Sequence, residues 1–328
     1  MTKINKHIEI VSSRNKRLSS MSKKSYEMIL DSLSKSYKKV GVTLVESLAD
    51  LEELVQKKPD LVFLGIKRVP RIPTSTNSSP YIWVSEFLDN NGIAYTGSDV
   101  KASIIEQDKN KAKDVVKKAG LKTAPYFITY TKQHSYESQI PLRFPLFIKP
   151  PNLSGGMGID KNSVVHNFAQ YRTKVKALEL ELDSESLVEE YLTGREFTVA
   201  ILQSPIDSSL HTTVLELLPV INVNGDYIIG SQMKSSKTET STITLDNGSM
   251  KDSVLELASS VFKAVGARGY GRVDIRLDSS GEPQFMEINL IPSTINGSGN
   301  FQKALEKNTG MQYDDMLLRI VELGLQAR

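Results

Sequence analysis

Gly271–Asn289 reads GRVDIRLDSSGEPQFMEIN. Arg272, Asp274 and Arg276 alternate with Val273, Ile275 and Leu277, the period-two pattern of a strand with one apolar face. Asp278-Ser279-Ser280-Gly281 is turn chemistry. Gln284–Leu290 then resumes a strand, with Glu287 and Asn289 on one face and Met286 and Ile288 on the other. Pairing of the two strands would bring Asp274, Glu287 and Asn289 together beside the cation of Arg272. Hard oxygen ligands of this kind suit Mg²⁺. A hairpin with one solvated face is the alternative on these residues alone.

Other stretches bear on that choice. Phe144–Ile159, FPLFIKPPNLSGGMGI, places Lys149 at the end of an apolar strand, just before a loop holding Ser154, Gly155, Gly156 and Gly158. Glycines let backbone amides approach a phosphate, and a nearby ammonium supplies the countercharge. The pattern is neither a Walker loop nor a G-x-G-x-x-G turn; a hairpin loop with a surface lysine is the plainer alternative. Asp108–Gly120, DKNKAKDVVKKAG, predicts a helix capped by Asp108 and ended by Gly120. Lys109 opens it, where the helix dipole does not favour a cation. Ser186–Val199, SLVEEYLTGREFTV, sets Glu189, Glu190 and Glu196 around a strand–turn–strand. Backbone groups at Tyr191–Leu192 can pair with an adenine edge and a carboxylate can hold ribose hydroxyls, although surface carboxylates are common.

The N-terminal third has a different rhythm. Strands at His7–Ser12, Val40–Val45 and Asp60–Gly65 alternate with helical spacing over Ser20–Tyr37 and Leu48–Lys57, which predicts a parallel sheet with helices on its faces. Lys67–Pro80 reads as a flexible connection, 81–90 as a helix, and Ile93–Gly97 as a short strand and turn. Strands are expected at Thr123–Tyr130, Ser186–Leu192, Glu196–Gln203 and Thr213–Val223. Helices are expected at Ala169–Leu180, at Met250–Val265, and from Phe301 with a break at Gly310. Ser231–Ser249 reads as a mobile polar excursion.

The 41 basic and 38 acidic residues nearly cancel, so charge argues for neither nucleic acid nor membrane as partner. The absence of cysteine excludes disulfides, thiolate zinc sites and a cysteine nucleophile. No apolar run approaches the roughly 20 residues of a membrane span, and MTKINKHIEIVSSRNKR lacks a signal-peptide core. The cytoplasm is the expected location. His7, His134, His166 and His211 are scattered and are expected to be structural or superficial.

Three stretches, KP…SGGMG, VEEYLTGREFTV and GRVDIRLD…FMEINLIPS, resemble ATP-grasp carboxylate–amine ligases in order and spacing, and among these the D-alanine–D-alanine ligases. YTGSDVKASIIEQDKNKAKDVVKKAGLKTAPY and NTGMQYDDMLLRIVEL extend the resemblance over roughly residues 93–328. It implies a three-lobe α/β ATP-grasp fold: an N-terminal parallel-sheet lobe over 1–100, a central lobe over 101–185 and a C-terminal lobe over 186–328. It also implies ATP and two Mg²⁺, with Mn²⁺ a substitute, and suggests a dimer. Lys109 and Lys149 would contact the nucleotide phosphates, with Ser154, Gly155 and Gly156 closing over them. Glu189 and the Leu192 backbone would meet the adenine, and Glu196 the ribose. Asp274, Glu287 and Asn289 would bind metal, and Arg272 would stabilise the transferring phosphoryl group. Lys234, with Lys237 as substitute, would begin a mobile loop, and Ser298 would hold the carboxylate of the amine substrate.

The first lobe departs from that family. Where the family has a Gly-rich, Ser-Glu turn after the first strand, this chain has SSRNKRLSSMS. After the third strand it has LGIKRVPRIPTSTNSSPYIWVSEF, without the family's His-Gly-Pro and Gly-Glu-Asp-Gly. Ser293-Thr294 replace a glycine pair after Pro292. The expectation is a ligase forming an amide, a dipeptide or amino-acid conjugate, through an acyl phosphate, with a small-molecule carboxylate donor other than D-alanine. Arg14, Arg17, Lys67, Arg68 and Arg71 would hold a second anionic group of that donor or form a solvated rim. An authentic D-alanine–D-alanine ligase, a cyclase of an amino-acid derivative, an ATP-binding scaffold and a nucleotide-binding oxidoreductase are the alternatives.

Overall fold

The computed structural model describes residues 2–15, 18, 19, 21–71, 80–153, 155–218, 242–245, 247–297 and 299–327. The first sheet is built from β1 (Ile4–Ser12), β2 (Tyr37–Leu44), β3 (Leu61–Leu64) and β6 (Ala94–Tyr95), in the order β2-β1-β3-β6 with every pair parallel. Its crossovers are α1 (Lys23–Ser36), α2 (Leu48–Gln56) and α3 (Val84–Asn90). The Ser22 hydroxyl caps α1, and Ser47 and Asp50 form a capping box on α2. Ile8, Ile10 and Phe63 face one core with Ile29 and Leu33 of α1, while Val11, Val62 and Leu64 face another with Leu51, Leu54, Val84 and Leu88. Both faces are covered, as a parallel sheet requires.

Of the connection expected over 67–80, residues 72–79 lie outside the described residues, and its described start is a strand. Arg68–Pro70 (β4) pairs antiparallel with Tyr81–Trp83 (β5), so the expected helix from residue 81 starts only at Val84. Tyr81, Ile82 and Trp83 are strand formers whose partner lies beyond the span of local periodicity.

The second sheet comprises β7 (Tyr126–Thr129), β8 (Leu146–Lys149), β9 (Val164–Val165) and β10 (Ser186–Glu190), in the order β7-β10-β8-β9. Two helices precede it, α4 (Val100–Gln107) and α5 (Lys109–Lys118), and α6 (Phe168–Leu182) packs on it. The Asp108 carboxylate accepts from the amides of Asn110 and Lys111 and caps α5 as expected.

The third sheet runs β13-β12-β11-β14-β15: β11 (Glu196–Gln203), β12 (Leu210–Leu217), β13 (Thr242–Thr244), β14 (Tyr270–Leu277) and β15 (Pro283–Asn289). On one face, Val254, Ala258 and Val261 of α7 (Ser249–Ala264) pack against Phe197, Val199, Val273 and Ile275. On the other lie Phe301, Ala304 and Leu305 of α8 (Asn300–Thr309). Gly310 breaks the chain at a φ of 74° before α9 (Tyr313–Gln326), whose Met316, Leu317 and Ile320 return to the first sheet. One core thus joins the first and third sheets. The polar stretch 231–249 lies largely outside the described residues; its end forms β13 and the start of α7. No helix of the described residues is long and apolar enough to cross a membrane.

The turn between β10 and β11 sits on the end of β14. The Gly194 amide donates to the Leu277 carbonyl at 3.1 Å, and a Cβ at Gly194 would lie 2.6 Å from both that oxygen and the Leu277 Cβ. Backbone cannot yield as a side chain does. Gly194→Ala is therefore expected to destabilise the protein by about 1–3 kcal/mol through overpacking, read as a lower urea midpoint at unchanged slope.

Candidate active site

The β14–β15 pairing sets Asp274 opposite Glu287 and Arg272 opposite Asn289, the convergence that the alternating pattern predicts. The Arg272 guanidinium grips Asp274, with Nε to Oδ1 at 2.9 Å and Nη2 to Oδ2 at 2.7 Å, and its Nη2 lies 3.9 Å from Glu287. Thr198 of β11 donates its hydroxyl to Asp274 Oδ1 at 2.8 Å. Burial opposes the Arg272 charge, but Asp274, Glu287 and Glu196 outweigh it and raise its pKa. The register shifts after Asp274, so that Ile275 faces Phe285 and Met286 is the extra residue. Phe285 and Ile288 therefore enter the core together, and Met286 lines a cleft instead of sharing the Ile288 face.

No group of three or more His, Cys, Asp or Glu that could hold a metal occurs among the described residues. The expected ligand set has two carboxylates and an amide. The Asn289 side-chain nitrogen is buried without a hydrogen-bond partner. Turning that amide exchanges an unsatisfied donor for an acceptor oxygen. The residue types accordingly fit a hard cation that takes its remaining ligands from substrate and water.

A second cluster is more deeply buried. Glu189 of β10 receives Lys113 Nζ on Oε1 at 2.5 Å and Lys149 Nζ on Oε2 at 2.6 Å; the three residues are 5%, 1% and 3% exposed. Lys113 also donates to the Thr123 hydroxyl at 2.7 Å. Burial would raise the Glu189 pKa, and the ammonium groups of Lys113 and Lys149 overcome it and lower it. Burial lowers the pKa of Lys113 against the pull of Glu189. Lys113 carries no motif and was not among the expected site residues. Its available signal was its place one turn after Lys109, between the buried Ala112 and Val116.

Lys109 lies one turn before Lys113 on α5. Its ammonium donates to the Leu153 carbonyl at 2.5 Å, at the start of the glycine loop. Burial lowers its pKa; Lys149 and Lys67 lower it further, while Glu287 and Glu189 oppose them. Gly155, Gly156 and Gly158 take φ values of 71°, 78° and 76°, which only glycine adopts without strain. A cleft open to solvent is lined by Lys113, Phe147, Tyr191, Leu192, Arg276 and Met286 among others. Arg276 stands over the Tyr191 ring at 5.3 Å and lies 3.8 Å from the Glu196 carboxylate.

Lys149, Glu189 and Leu192 thus gather at the cleft, Glu196 approaches it through Arg276, Arg272, Asp274, Glu287 and Asn289 share the β14–β15 face, and Lys109 holds Leu153 ahead of Gly155 and Gly156. Ser154, Lys234, Lys237, Ser298 and Arg17 lie outside the described residues. The other basic residues of the first lobe do not form one cluster. Arg14 and Arg71 are exposed, Arg68 stacks on Tyr81 at 3.9 Å, and Lys67 turns inward to Glu106.

Glu189→Gln leaves two buried ammonium groups against a neutral amide, and is expected to cost about 3–5 kcal/mol near neutral pH. The carboxylate's contribution is fully present above its ordinary pKa of 4.5 and is lost as pH falls through the lowered folded value. The stability gap between wild type and variant should narrow below pH 4.5. A gap that stays constant in acid would show that the ion pairs do not carry it.

Residues 115–322 match the family model described as D-ala D-ala ligase C-terminus. The D-alanine–D-alanine ligase A of Salmonella typhimurium is 30% identical over 249 residues, covering 71% of this chain and 63% of that protein. This chain therefore spans less than two thirds of that relative's length. The D-alanine–D-alanine ligase of Hydrogenovibrio crunogenus is 28% identical over 251 residues, 74% of this chain and 73% of that protein. The structure of the Bacillus anthracis D-alanine–D-alanine ligase complexed with ATP superposes at a TM-score of 0.72 with 22% identity, over 99% of this chain and 98% of that one. The α/β ATP-grasp fold is thereby established. On the match of residues 115–322, this chain belongs to the D-ala D-ala ligase C-terminus family.

Proposed function

We propose that this protein is an ATP- and Mg²⁺-dependent carboxylate–amine ligase that forms an amide through an acyl phosphate, with a carboxyl donor other than D-alanine. The observation that carries the proposal is that Lys113 and Lys149 meet the buried Glu189 beside a cleft, while Arg272, Asp274 and Glu287 meet on the β14–β15 face. A polyanion that joins a base to a reacting phosphate needs cations and a metal face of this kind. The adenine would lie in the cleft beside Tyr191, Leu192 and Met286, with its amino group toward Glu189 and its ribose toward Glu196. Both Glu189 oxygens already accept one lysine each, and a carboxylate has room for further donors. The phosphates would run past Lys149 and Lys109 under Gly155 and Gly156. Held by Asp274, Glu287 and Asn289, two Mg²⁺ ions would neutralise charge on the phosphoryl oxygens.

In the first step a donor carboxylate oxygen bonds to the γ-phosphorus and the bond to the leaving ADP oxygen breaks. In the second an amine attacks the acyl carbon, inorganic phosphate leaves with the bonding pair, and the amine loses a proton. Arg272, which Asp274 holds beside Glu287, would stabilise charge in both steps. A donor other than D-alanine is supported by the turn after β1. SSRNKRLSSMS holds no carboxylate, and its described hydroxyls are taken internally: Ser12 by the Met21 carbonyl, Ser13 by Glu46, Ser19 by the Gly65 carbonyl.

The three lobes proposed for the enzyme follow its three large sheets. The central one runs from residue 101 to Glu190, since β10 lies between β7 and β8. The enzyme would work in the cytoplasm, where Mg-ATP is supplied.

Phosphate release from Mg-ATP, screened against pairs of amino acids with products identified by mass, tests the proposal and separates linear from cyclic products. Stimulation by no carboxylate would overturn it; full activity with D-alanine alone would overturn the donor assignment. Asp274→Asn and Glu287→Gln should each lower turnover by about 10²–10³-fold while nucleotide still binds. Nucleotide affinity should fall as pH rises through the lowered Lys109 pKa, earlier than for an ordinary lysine at 10.5, and Lys109→Arg should abolish that fall.

A further inference from the structure

Glu106 lies in the last turn of α4 and belongs to neither cluster above. Its side chain is 3% exposed. One oxygen, Oε1, accepts twice: from the Lys67 ammonium at 2.5 Å and from the Leu290 amide at 3.0 Å. The other, Oε2, is buried with no partner among the described residues. Leu290 directly follows Asn289, so the carboxylate holds the peptide that carries the last expected metal ligand. Lys67 directly precedes β4. Its carbonyl accepts from the Val84 amide at 2.9 Å, and the next residue, Arg68, pairs with Trp83. The Lys67 ammonium is also felt by Lys109. A carboxylate buried to this degree, with one oxygen unsatisfied, is retained at a cost that packing alone does not require.

We propose that Lys67 and Glu106 are a positioning pair that couples the β4–β5 hairpin of the first lobe to the end of the metal-bearing strand β15. Leu290 cannot shift without moving Glu106, and Glu106 cannot shift without drawing Lys67 and the base of the hairpin. Filling the nucleotide–metal face therefore changes the setting of strands β4 and β5. Coupling of this kind is reciprocal, so a donor that moves the hairpin alters nucleotide affinity by the same factor. The proposal rests on the placement of metal and nucleotide given above, and it adds residues that no motif marks.

The chain's single tryptophan, Trp83, lies in the hairpin and reports on it without turnover. The experiment titrates Mg²⁺ and ADP into the full-length protein and follows tryptophan emission, excited where nucleotide does not absorb. Binding heat is measured in parallel. Wild type should show an emission change that saturates with the calorimetric isotherm. Lys67→Met and Glu106→Gln should bind Mg-ADP within about threefold of wild type yet lose at least about four fifths of the emission change. Lys67→Arg, which keeps the ion pair, should retain it. If a single variant does not fold, the double variant Lys67→Met/Glu106→Met removes both charges without stranding one, and it too should bind silently. Heat without an emission change in wild type, or an undiminished change in the variants, overturns the coupling and leaves the ligase assignment standing. No binding heat in wild type overturns both.

Discussion

Everything at this site depends on two buried ammonium groups sharing one carboxylate. Lys113 from α5 and Lys149 from β8 both reach Glu189 on β10, so a helix and two strands meet at one ionic centre. Two lysines against one carboxylate set more basic than acidic groups at a buried centre. A buried excess charge is costly unless something of opposite sign approaches. Lys109, one turn earlier on α5, reaches the Leu153 carbonyl at the start of the glycine loop.

The ionic centre is wired into the third sheet by hydrogen bonds as well as by field. The Thr123 hydroxyl accepts from Lys113 and donates to the Phe285 carbonyl, and the Phe285 amide donates to Lys122. The strand that carries Glu287 and Asn289 is thereby pinned at Phe285, where the register shifts. That shift lets Met286 join Tyr191 and Leu192 around the cleft while Phe285 and Ile288 stay in the core. A straight strand would have sent Met286 to the opposite face from Glu287. The first sheet is tied to this assembly from the far side, since α9 and Tyr270 share a core with Ile8, Ile10 and Phe63.

Local pattern and tertiary contact divide the account of this protein between them. The alternating polar face of Arg272–Arg276, the carboxylate and amide of Glu287 and Asn289, the lysine before the glycine loop and the Asp108 cap were all legible along the chain. Each is a short-range rule: period two in strands, φ freedom at glycine, side-chain capping of free amides. The parallel first sheet was legible for the same reason, through the alternation of apolar strands with amphipathic helices. What these rules cannot reach is any pairing whose partners are distant in sequence. Lys113 is one lysine among many in DKNKAKDVVKK until β10 brings Glu189 to it. Glu106 and Lys67 are 39 residues apart, and Glu106 and Leu290 are 184 apart. The arms of the β4–β5 hairpin likewise pair across an intervening stretch of sequence. The sequence by itself determined the fold class and the kinds of atoms available to a nucleotide and a metal. The tertiary structure alone decided which charges are buried against which, because burial and partnership are properties of contacts and not of positions in a chain.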